Sequence, residues 1–85
     1  MVKLLLARQF AGKKIITNDG NDLGRLTDLI INEKNGSIET LIVEPNLDNV
    51  ITRRLKKEEG DLYVSYSAVL AVSDYIIVDR KSLGI

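Results

Sequence analysis

Apolar residues come along the chain in short runs separated by polar clusters rich in Asn, Asp and Gly. Ile15-Ile16 is followed by Asn18-Asp19-Gly20-Asn21, and the run Leu23–Asn32 by Glu33-Lys34-Asn35-Gly36-Ser37. Asn, Asp and Gly tolerate the positive φ of tight turns, and Asn-Gly between hydrophobic runs is the strongest short-range hairpin signal. Ile38–Glu44 is then the returning strand. After Gly60 come Leu62–Ser65, a short turn around Ser67-Ala68, Leu70–Val72, a Ser73-Asp74 turn and Tyr75–Asp79. Regularly spaced short runs with turn signals between them predict an all-β domain. The 17 Val and Ile against 4 Ala lean the same way, because branched side chains fit a pleated surface. Arg80–Ile85 reads as a short mobile tail, with Leu83 and Ile85 able to dock.

Alternation within the runs assigns faces. Leu41 and Val43 share one side of their strand, and Ile38 and Ile42 share the other. Leu29, Ile30 and Ile31 are consecutive, so both faces of that strand need cover near its end. Strands apolar on both sides fit a small barrel with something packed outside it. The cover is either the N-terminal segment lying over a coiled sheet or the surface of another protein. Asp28 interrupts Leu26–Ile31 and is expected at a rim or bonded to a nearby backbone amide.

Pro45–Gly60 is less regular. Pro45 ends its strand because it has no N–H for a ladder, and the stretch that follows is longer than most connections in a compact domain. Leu47, Val50, Ile51 and Leu55 fall near helical spacing, and Asp48 or Asn49 is a suitable N-cap for a short helix. Val50, Ile51 and Thr52 are all β-branched, which favours a strand instead. Both readings of 48–57 stand at this level.

Composition narrows the chemistry. The chain has 85 residues, enough for one domain, 1–85, with a barrel core at about 11–79. It holds no Cys and no His, which removes disulfides, thiol nucleophiles, Cys-based zinc sites, the commonest general base and the commonest transition-metal ligand. Twelve cations balance twelve carboxylates, so bulk charge does not draw the chain to nucleic acid. The leucine run at Leu4-Leu5-Leu6 is broken by Arg8, too soon for a signal segment or a membrane span. The expected location is cytoplasmic, without membrane insertion.

Few groups could carry a reaction. Asp19, Asp22, Asp28, Glu33, Glu39 and Glu44 are spread along the hairpins, and no pair has the spacing of an acid–base couple or a calcium loop. Gly20, Gly24 and Gly36 do not precede a helix with a Lys-Ser/Thr pair, so they form no phosphate loop. No catalytic residue, metal ligand or cofactor is expected. Arg53, Arg54, Lys56 and Lys57 are candidate contacts for an anionic partner, although Glu58, Glu59 and Asp61 balance them at once. No aromatic residue interleaves with them as a single-strand stacking platform would require.

The order of the motifs resembles a known family. Gly12-Lys13-Lys14-Ile15-Ile16, Asp19-Gly20 and Leu23-Gly24-Arg25-Leu26-Thr27-Asp28-Leu29-Ile30-Ile31 look like the front half of a PRC-barrel domain. Asn35-Gly36-Ser37-Ile38 and Leu41-Ile42-Val43-Glu44-Pro45 continue the match. Leu62-Tyr63-Val64-Ser65-Tyr66-Ser67-Ala68-Val69 and Ala71-Val72-Ser73-Asp74-Tyr75-Ile76-Ile77-Val78 resemble its back half. Ser65 stands where the family often has Pro, and Ser73 where it often has Gly.

The resemblance implies a small, partly open, highly curved six-stranded antiparallel barrel with one short helix or 3-10 turn. It also implies no catalysis and no cofactor. Of the settings in which this barrel occurs, the chain is most similar to the stand-alone archaeal type. Those proteins are homodimeric cell-division adaptors that bind the membrane anchor of the tubulin-like division ring. The alternative is a ribosome-assembly or RNA-processing factor like the barrel half of the ribosome maturation factor, with a ribosomal protein or rRNA as partner. For the adaptor, the candidate protein-binding residues are Ile38, Thr40, Ile42, Val50, Ile51, Leu55, Tyr63 and Tyr75.

Overall fold

The computed structural model describes residues 11–84. Its strands are β1 (Lys14–Thr17), β2 (Asp22–Ile31), β3 (Ile38–Pro45), β4 (Lys57–Glu58), β5 (Asp61–Ser65), β6 (Val69–Val72) and β7 (Tyr75–Val78). A short helix, α1 (Val50–Arg54), precedes β4; 3-10 turns follow β5 (Tyr66–Ala68) and β7 (Arg80–Leu83). The strands form one sheet in the order β4-β5-β3-β2-β1-β7-β6. Its two ends do not join, so the barrel is partly open.

Two features differ from the expected six antiparallel strands. The seventh strand is β4, two residues long, cut from the stretch that alternation left ambiguous. One pair, β1 with β7, is parallel, Lys14 lying opposite Tyr75 and Thr17 opposite Val78. Strand direction across a sheet is a tertiary matter, since each run alternates identically whichever way its neighbour points.

Curvature comes from irregular register. The β2–β3 pairing shifts between Leu26 and Asp28, and β1–β2 shifts between Ile15 and Ile16. An extra residue on one strand bends it and raises its twist. At Thr27, the residue left over, the hydroxyl donates to the Ile42 carbonyl at 3.1 Å. Asp28 next to it is exposed on the outer face opposite Ile42, and its carboxylate accepts from Leu29 N–H at 2.8 Å, the backbone-amide alternative expected for that residue.

The concave side of the sheet holds the core. Ile15, Leu23, Leu26, Leu41, Val43, Leu62, Val64, Ile76 and Val78 are buried there, with Ile51 from α1 and Ala68 from the first 3-10 turn. The face assigned to Leu41 and Val43 is the buried one, and Ile42 lies on the opposite, half-exposed face. The 48–57 stretch is helix first and strand second. Asn49 caps α1, its side chain accepting from Ile51 N–H at 2.8 Å.

The C-terminal segment is not a loose tail. Asp79 caps the second 3-10 turn by accepting from Lys81 N–H, and Leu83 packs against the core. Asn18 binds the same segment through its side chain, which accepts from Arg80 N–H at 3.2 Å. Capping and packing of this kind need groups far away in the chain, which a tail read in isolation does not show. Ile85 and the N-terminal segment Met1–Phe10, the other expected cover, lie outside the described residues.

Candidate protein-interaction surface

The outer face of the sheet is built by the same alternation that fills the core. Across β2, β3 and β5, Ile30 lies opposite Thr40 and Thr40 opposite Ser65, while Asp28 lies opposite Ile42 and Ile42 opposite Tyr63. Ile30, Thr40, Ile42 and Tyr63 thus form a patch whose one charged neighbour in those two rows is Asp28. Tyr63 is 46% exposed and Ile30 39%. Neighbouring side chains on one face of a sheet stand within contact distance, so the patch presents continuous apolar area.

The other expected binding residues divide. Ile38 is half-buried and packs against the core. Tyr75 is exposed on β7 but sits beside Lys14, with Arg25 and Glu44 continuing that row. Charged positions on β1, β2 and β3 therefore separate Tyr75 from Tyr63. Val50 is exposed on α1, whereas Ile51 is 9% exposed and belongs to the core. The Ile51 side chain lies in the core cluster and is not presented on the surface. Leu55 is half-buried against the core. Ile30 extends the outer face beside Thr40, a placement for which the unbroken Leu29-Ile30-Ile31 run was the signal.

Arg53, Arg54 and Lys56 are exposed; Lys57 is half-buried. The Lys57 ammonium donates to the Leu55 carbonyl at 3.0 Å and the Arg53 carbonyl at 3.4 Å. Cations at the end of a helix complement its free carbonyls, so Lys57 has structural work at the end of α1.

An open groove of about 510 Å³ is bordered by Lys14, Asp22, Arg25, Glu44, Asn46 and Asp48. Its lining mixes Lys14 and Arg25 with Asp22, Glu44 and Asp48, and Lys14 lies 3.8 Å from Asp22, so it is no site for an anion. Among the described residues no three Asp or Glu side chains come together as a metal site. None of the described helices is long and apolar enough to cross a membrane.

One carboxylate is held well below its usual range. Asp19 accepts from the Thr17 hydroxyl, from the Arg80 guanidinium at 2.6 Å and from the Asn21 amide at 2.9 Å. Hydrogen bonds to the charged form favour it. The cluster joins the β1–β2 turn to the C-terminal 3-10 turn and is a structural clasp.

Set against known families, residues 3–83 match the PRC-barrel domain. The chain belongs to the PRC-barrel family. This PRC-barrel protein is 33% identical over 73 residues to the uncharacterized protein MJ1118 of Methanocaldococcus jannaschii, covering 85% of this chain and 78% of that one. Its fold is similar to the crystal structure of a Pseudomonas aeruginosa protein assigned as the 16S ribosomal RNA processing protein RimM. The TM-score is 0.59 at 19% identity, over 85% of this chain and 41% of that one. The PRC-barrel reading of the motif order is therefore correct, and the stand-alone archaeal type is consistent with the archaeal relative.

Proposed function

We propose that this PRC-barrel is a non-enzymatic, homodimeric adaptor that binds another protein through the outer face of β2, β3 and β5. The observation that carries this is the apolar patch of Ile30, Thr40, Ile42 and Tyr63, laid in register across three strands. Burying it is favourable at about 25 cal/mol per Å² of apolar area, and large patches of this kind mark interfaces. The finer role follows the stand-alone archaeal type: a cytoplasmic cell-division adaptor whose partner is the membrane anchor of the division ring. The archaeal relative supports that direction.

Sedimentation velocity tests the dimer. A concentration-dependent dimer is expected, shifted to monomer by Ile30→Glu; a strict monomer at high micromolar concentration removes it. Size-exclusion chromatography with the purified division-ring anchor tests the finer role, and no shared peak at tens of micromolar removes the anchor as partner.

A second reading, an RNA-bound ribosome factor, draws on the exposure of Arg53, Arg54 and Lys56. Phosphate contacts make binding fall steeply with salt, whereas an apolar interface changes little. Ribosomal RNA that fails to bind at low salt in a polarisation assay removes this reading.

A further inference from the structure

β5 loses one neighbour partway along its length. The Glu59-Gly60 connection has φ of +51° and +88°, the paired positive values of a type I′ hairpin turn. It places Glu58 opposite Asp61 and Lys57 opposite Leu62, and there β4 stops. On its other side β5 stays paired with β3 as far as Ser65 opposite Thr40. Among the described residues, Tyr63–Ser65 is therefore an open sheet edge.

The direction of the backbone groups follows. A two-residue turn closes on a hydrogen-bonded pair, here Glu58 with Asp61, and successive residues address alternate neighbours. Asp61 and Tyr63 thus turn their N–H and C=O groups to the β4 side, and Ser65 turns its N–H there past the end of β4, while its carbonyl opens the 3-10 turn.

A groove of about 290 Å³ runs beside this edge, bordered by Leu55, Lys56, Tyr63, Ser65, Ser82 and Leu83. Leu55 and Leu83 rest on the core and supply apolar walls. Lys56 stands exposed at the rim, close in sequence to exposed Arg53 and Arg54. The ion pairs among the described residues are Lys14–Asp22 and Arg80–Asp19, so these three cations have no carboxylate of the barrel bound to them.

We propose that this groove is a strand-addition site for an extended segment of a partner protein that alternates apolar and acidic residues. The inference rests on the adaptor reading and adds a second contact for a protein partner, at the edge of β5 and apart from the outer-face patch. The incoming strand continues the line of β4 beside Tyr63–Ser65, and its main-chain groups meet those left free beyond Lys57. Alternate side chains of a strand point opposite ways, so one set fills the space between Leu55 and Leu83. Carboxylates in the other set are favoured beside Lys56 at the rim. An RNA strand would use the cations but leave both leucines uncovered.

Random dodecamers displayed on phage, selected on the purified full chain and remeasured as synthetic peptides by fluorescence polarisation, test this. The expected consensus has an apolar residue at alternate positions with Asp or Glu between. Ser65→Pro suits the φ of −62° and removes the N–H, together with the hydroxyl that accepts from Ser67 N–H. Lys56→Glu inverts the rim charge without touching the core. Each change is expected to weaken a selected peptide about tenfold or more, while Lys34→Glu, exposed in the β2–β3 turn, leaves its affinity unchanged. Peptides without the alternation, or peptides that bind both variants as tightly as the parent, overturn the site. Binding lost in Ile30→Glu but kept in Ser65→Pro overturns it too, while leaving the outer-face adaptor intact. A ribosomal RNA fragment that binds through Lys56 when no peptide is selected overturns it in favour of RNA.

Discussion

Single residues carry two of the sharpest constraints on this barrel. Gly24 lies inside β2 with φ +135°, and a Cβ built there would stand 1.9 Å from the Glu44 carbonyl oxygen. Both the backbone angle and the space require glycine. Gly24→Ala is expected to cost more than about 2 kcal/mol through strain and displacement of β3, read as a lowered urea midpoint. Asp19 makes a different prediction. Its carboxyl is held below the ordinary value chiefly by the Thr17 hydroxyl, then by Arg80 and Asn21. A depressed folded-state pKa gives stability that is complete above the unfolded value, near pH 4. That stability is lost as the pH falls through the lowered folded value. In thermal melts, Asp19→Asn should therefore fall furthest below the parent at pH 7. The gap should close progressively below pH 4; a gap independent of pH would contradict the clasp.

At the scale of elements, the turns were legible and the helix was only half legible. Asn18-Asp19-Gly20 and Asn35-Gly36 mark turns because their backbones need positive φ, and Gly20 and Gly36 have it. Val50, Ile51 and Thr52 pull towards strand by intrinsic preference, yet they sit in α1. What decides this is the Asn49 cap and the burial of Ile51, which together exceed a weak local propensity and the cost of burying the unpartnered Thr52 hydroxyl. Asn49→Ala is accordingly expected to cost about 0.5–2 kcal/mol, measured by chemical denaturation. Amide exchange should quicken first in 50–55. Leu70 belongs to the same lesson. It falls at the register shift of β6 between Val69 and Ala71 and is 58% exposed, which alternation alone does not show. The shared outer face of Thr40, Ile42 and Tyr63 was legible, because simple alternation holds there; the burial of Ile51 and the charged row beside Tyr75 were not, because packing and strand order decide them.

The whole molecule is small enough for one core residue to matter to all of it. A domain of 85 residues has a stability of roughly 4–13 kcal/mol at typical per-residue values. Leu41 is fully buried on β3 and belongs to the core cluster. Leu41→Ala is expected to cost about 2–5 kcal/mol, a large share of the total. Differential scanning calorimetry should show a single transition moved down by many degrees, and a shift of only a degree or two would mean that the core is looser than described. The sequence by itself determined the strands, their buried faces, the turn positions and the family. All of these depend on residues near one another in the chain, through alternation, positive φ and motif order. Only the tertiary structure decided the parallel β1–β7 pair, the two-residue β4, the burial of Ile51 and the docking of Leu83. It also decided the open edge at Tyr63–Ser65. Each of these depends on which distant segments meet, and neither period nor propensity carries that information.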